Sequence, residues 1–161
     1  MKYNIRRKIF ALKPSFTIKD ESGKDAFIVR SNFRPFGKKF IIMDANFEEV
    51  CHIYRSFDLF STVYAIVLLD EPDDVLTVTR VINLIKGKYV FEGTKNQYGI
   101  DRDIFSEFFY ILKDFRKTAK VIQKIPAISA YYKVIVPKGN IAVRILAIMI
   151  IICLTRNKYL I

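Results

Sequence analysis

The chain has 161 residues, enough for one domain over 1–161 with a sizeable core, and its 52% apolar content, with 14 Phe and 9 Tyr, excludes disorder of the whole. The formal charge of +11 is uneven: residues 1–80 carry 13 Lys and Arg against 11 Asp and Glu, whereas residues 81–161 carry 14 against 5. That balance favours anionic partners, and with only 6 Gly and neither GxGxxG nor GxxxxGK[ST] no phosphate-cradling loop is present.

The opening stretch MKYNIRRKIFALKPS has charges on both sides of a short apolar run, which is no signal peptide, and holds a first strand near 5–10. Three units follow at 24-residue spacing: FTIKDESGKDAFIVRS from Phe16, FIIMDANFEEVCHIYRS from Phe40 and YAIVLLDEPDDVLTVTR from Tyr64. Each is a β-rich run, an acidic turn and a second β-rich run. Looser forms begin near Lys88 and Phe108, and a last strand begins at Tyr131, for about twelve strands in a meander of hairpins. Such a meander must expose two edges or close, and closed it is wider than the roughly eight-stranded barrel that side chains alone can fill.

The run NIAVRILAIMIIICLTR, 140–156, supplies the filling. Its apolar stretch 141–154 spans about 21 Å as a helix against the ~30 Å of a bilayer core, and Arg144 interrupts it, so it is a poor membrane span. It has no polar stripe, the pattern of a helix buried on all sides, with Asn140 placed to cap its start. The expectation is a helix threading the barrel.

Candidate chemistry is sparse. Cys51 and Cys153 show no metal or disulfide spacing and are expected as buried thiols; His52, alone of its kind, shares a strand face with Val50 and Tyr54, away from Cys51, and is expected to be structural or superficial. The acids Asp20, Glu21 and Asp25, then Asp44, Glu48 and Glu49, then Asp70, Glu71, Asp73 and Asp74 could suit calcium, but no segment has the EF-hand pattern and turn formation explains them better. No catalytic residue, metal ligand set or cofactor is therefore expected.

Alternate connections of a meander lie at opposite ends, which sorts the charges. The three acidic turns fall at one end. The connections 30–39, 55–62, 80–88 and 124–130 fall at the other and bring Arg30, Arg34, Lys38, Lys39, Arg55, Arg80, Lys86, Lys88 and Lys124 into a basic rim. Phe33, Phe36, Phe57, Phe60, Ile82, Leu84, Ile85, Ile125 and Ile128 are interleaved with them. Cations with apolar tips suit contact with an anionic membrane surface; the other reading, favoured by their recurrence at similar positions, folds these apolar residues inward as a layer closing the barrel. The last strand runs toward the acidic end, so the helix starts there and Arg144, one turn in, is expected to pair with the turn carboxylates.

The FTIKDESGKDAFIVRS pattern, the KIFALKPSF opening and the apolar run after VIVPKGN resemble the LURP-one-related family over roughly residues 3–155. The resemblance implies the tubby-like fold shared with tubby C-terminal domains and phospholipid scramblases: mainly β, a closed twelve-stranded up-and-down antiparallel barrel enclosing a hydrophobic C-terminal α-helix. It carries over no enzymatic activity. The expected function is a non-enzymatic cytoplasmic module, peripheral at the membrane, that docks through the basic rim on anionic phospholipid or a protein partner; a structural scaffold and nucleic-acid binding are the alternatives.

Overall fold

In the third unit Thr62, Tyr64, Ile66 and Leu68 are buried while the residues between them are not, the period of two that puts alternate side chains on opposite faces of a strand. The computed structural model describes residues 1–8, 15–34, 37–57, 59–81, 88–124 and 131–156. Its strands are β1 (Lys2–Lys8), β2 (Ser15–Lys19), β3 (Asp25–Arg34), β4 (Gly37–Asp44), β5 (Glu49–Phe57), β6 (Ser61–Leu68), β7 (Glu71–Val81), β8 (Lys88–Gly93), β9 (Tyr98–Ile100), β10 (Phe108–Lys113), β11 (Arg116–Lys124) and β12 (Tyr131–Ile135). The helix α1 (Asn140–Arg156) follows.

Chain neighbours other than β8 and β9 pair antiparallel, and β1 pairs with β12, so one sheet of order β8-β7-β6-β5-β4-β3-β2-β1-β12-β11-β10-β9 wraps almost fully round. The expected closure stops short. β8 and β9 are the two edges, and no ladder joins them among the described residues. The residues between them are held by opposite neighbours. Thr94 N donates to Val75 O on β7 at 3.1 Å, whereas Gln97 N donates to Asp114 Oδ1 in the β10–β11 turn at 2.9 Å. Each end of the β8–β9 connection is thus bonded to the sheet on its own side of the seam.

Inward side chains of the strands, among them Ile5, Ile18, Phe40, Ile53, Ile66, Leu76, Phe109, Val121 and Val134, meet a helix whose residues 144–155 are all buried. At 17 residues α1 spans about 25 Å, and no helix among the described residues is long and apolar enough to cross a membrane.

The first two acidic turns repeat atom for atom. Asp20 Oδ1 accepts from the N–H groups of Ser22 (2.8 Å) and Lys24 (3.1 Å), and Asp44 Oδ1 accepts from those of Asn46 (2.8 Å) and Glu48 (3.0 Å). These carboxylates satisfy their own backbone, which is the turn-forming role expected of them. The Ser22 hydroxyl also donates to Asp20 Oδ1, and this bond leads the causes that hold the Asp20 carboxyl below its ordinary pKa.

Candidate functional site: the basic end of the barrel

The helix fixes which end is which. Asn140 Nδ2 donates to Asp70 Oδ2 (2.8 Å) and Glu71 Oε1 (3.0 Å), so α1 starts at the acidic turns. The side-chain amide nitrogen of Asn140 thus ties the helix start to the β6–β7 hairpin. One turn in, Arg144 Nη1 donates to Asp74 O (3.0 Å), and Nη2 lies 3.2 Å from Asp74 Oδ2 and 3.8 Å from Glu71 Oε2. The expected ion pair is present. It is buried, with Asp74 Oδ1 receiving the Thr94 hydroxyl at 3.1 Å.

The helix therefore ends at the basic mouth. Its last carbonyls form the negative pole of the helix dipole, and Arg7 Nη1 reaches one of them, Cys153 O, at 3.2 Å. Arg7 was not among the expected rim residues. Its signal is the alternation Tyr3, Ile5, Arg7 on β1, which points it to the same face as two core residues.

Face, which sorting by end does not reveal, divides the rim in two. Register places Lys38 opposite Arg55, Arg55 opposite the buried Tyr64, and Arg80 opposite the buried Thr62, so these three cations project into the barrel. Like charges directly opposite on neighbouring strands repel. Lys38 Nζ sits 5.3 Å from the Phe40 ring centre, and the Arg55 guanidinium sits 4.5 Å from that of Phe57. Arg55 Nε is buried with no hydrogen-bond partner among the described residues. Arg80 is only 6% exposed, which corrects the expectation that it faces solvent on the rim. Burial raises the pKa values of Tyr64 and Tyr89 above their ordinary value, against the pull of the neighbouring arginines. The Tyr89 hydroxyl meets Thr155 Oγ1 at the helix end.

Arg30, Lys39, Lys88 and Lys124 form the outer set, three of them exposed and Lys39 half-buried with Nζ 5.5 Å from the Tyr54 ring centre. Lys86, Phe36, Ile82, Leu84, Ile85, Ile125 and Ile128 lie outside the described residues, as do the side chains of Phe33 and Arg34.

The inward closing layer fails where it can be checked. Phe57 is 60% exposed, Leu59 87% and Phe60 75%, so the β5–β6 hairpin presents an apolar tip to water beside Arg55. Leu59 carried no signal in the interleaving pattern, although it lies in the same short connection.

Cys51 is buried, and burial pushes its thiol up to about 12. His52 faces outward, with Nε2 2.6 Å from Glu49 Oε2 and Nδ1 3.3 Å from the Tyr54 hydroxyl, the structural or superficial role expected of it.

An antiparallel barrel built round a buried C-terminal helix, one mouth acidic and the other lined with cations, is the class of protein defined here. The chain belongs to the LURP-one-related family, whose family model matches residues 1–153. No curated protein and no solved structure matches it.

Proposed function

We propose that this protein is a non-enzymatic, tubby-like module that docks on anionic phospholipid surfaces through the basic end of its barrel. The observation that carries the reading is the exposed Phe57, Leu59 and Phe60 tip on a rim of cations. Cations draw the end to acidic head groups while apolar tips enter the acyl boundary, and the acidic turns face away. Binding rather than catalysis is supported by the buried, protonated Cys51 and by a His52 already engaged with Glu49 and Tyr54. Two buried free thiols suit the reducing cytoplasm, with the protein peripheral at the membrane.

Co-sedimentation with phosphatidylcholine vesicles, with and without phosphatidylserine, tests this. The wild type should pellet only with the anionic vesicles. Reversing Arg30, Lys39 and Lys124 together to Glu should weaken binding at least about a hundredfold, since each basic residue near such a surface contributes on the order of 1 kcal/mol. Reversing Lys19, Lys24 and Lys95 at the acidic end should leave most of it intact. Equal loss from both sets contradicts a docking face. Retardation of a single-stranded oligonucleotide without vesicle binding would assign the cations to nucleic acid instead.

A further inference from the structure

The seam between β8 and β9 widens toward the basic end into a cleft of about 580 Å³, within the roughly 300–1,000 Å³ typical of small-molecule sites. Its floor is apolar: Tyr89, Phe91, Tyr98 and Ile100 line it and pack on the core beneath. Its walls are two sheet edges, since β8 pairs only with β7 and β9 only with β10 among the described residues. Lys88 and Arg102, both exposed, are among the residues that line it, the Arg102 guanidinium held 4.5 Å from the centre of the Phe108 ring. Asp103 lines the cleft too, with its Oδ1 accepting from Phe105 N at 2.9 Å.

A narrow apolar floor with cations in its lining is complementary to a long, thin amphiphile. Two sheet edges also invite an inserted peptide strand. The β9 edge, however, is only the three residues Tyr98–Ile100, shorter than the five or six of a typical strand. A ladder on both sides of an inserted strand has too little to hold.

We propose that the seam cleft binds a single acyl chain with an anionic head, the chain lying along Tyr89, Phe91, Tyr98 and Ile100 and the head held by Lys88 and Arg102. The amphiphile comes from water as a free fatty acid or from a bilayer as a lysophospholipid, since the chemistry is shared. Nothing in this inference requires the docking reading, and its test contains no vesicles.

Titration calorimetry below the micellar range would use octanoate, decanoate and dodecanoate, with lysophosphatidate as a separate arm. Saturable binding of one molecule per chain is expected, tightening by up to about fourfold per added methylene until the cleft is filled. The Lys88→Glu/Arg102→Glu double variant changes exposed side chains and should weaken decanoate at least tenfold while leaving 1-decanol unchanged. The arm that binds more tightly identifies the source. No saturable binding of either anion, or decanoate affinity indifferent to the double variant, overturns the proposal. So does binding of an alternating Val-Thr peptide where the amphiphiles fail, because the seam would then be a strand site.

Discussion

Phe47 holds a φ of +64°, a conformation in which an L side chain crowds its own backbone. The preceding repeat has Gly23, at φ +81°, at the corresponding position of the same turn: Gly23 N donates to Asp20 O and Phe47 N to Asp44 O, each at 3.1 Å. Phe47 is largely exposed, so little packing offsets its strain. Replacing Phe47 with Gly should raise unfolding stability by about 1 kcal/mol, read as a later urea midpoint with an unchanged slope. An earlier midpoint would mean that the Phe47 ring has a packing role its exposure does not suggest. The turns themselves were legible from Asp20 and Asp44 at 24-residue spacing. The left-handed residue was not, because Phe is no turn signal, although setting the repeats side by side aligns it with Gly23. Arg7 is missed and the burial of Arg80 is not foreseen for a related reason: place along the chain gives an end of the barrel, and only strand parity gives a face.

The helix was the most legible element, because a run without a polar stripe has nowhere to lie except inside. Arg144 at its start reads as an anomaly until the acidic end is located. Then the buried guanidinium with Asp74 and the Asn140 tie to Asp70 and Glu71 make one latch between α1 and the β6–β7 hairpin. Replacing Arg144 with Met leaves Asp74 buried without its cation and should cost about 3–5 kcal/mol, whereas Glu71→Gln, at a longer and more exposed contact, should cost no more than about 1. Denaturant unfolding of the two variants checks this, and an Arg144→Met protein as stable as wild type would show that the latch contributes nothing. The open seam was not legible. Tyr89, Phe91, Tyr98 and Ile100 are as apolar as any paired strand, and Thr94 and Gln97 bond to neighbours on opposite sides of the seam that the local sequence does not reveal.

Across the whole molecule charge and fold agree. Acidic turns gather where the helix dipole is positive and cations where it is negative, the arrangement that stabilises both ends. The same polarity gives the barrel one face suited to an anionic surface and one opposed to it. The protein contains no Trp, so a single introduced indole reports its own surroundings. Phe60→Trp places it on the exposed tip of the basic end, and Phe115→Trp places it on an equally open turn at the acidic end. On adding vesicles of phosphatidylserine in phosphatidylcholine, the emission of the Trp at position 60 should shift to the blue and be quenched by brominated acyl chains, with neither effect on phosphatidylcholine alone and neither at position 115. An unchanged spectrum at position 60, or equal shifts at both positions, would contradict docking through the basic end.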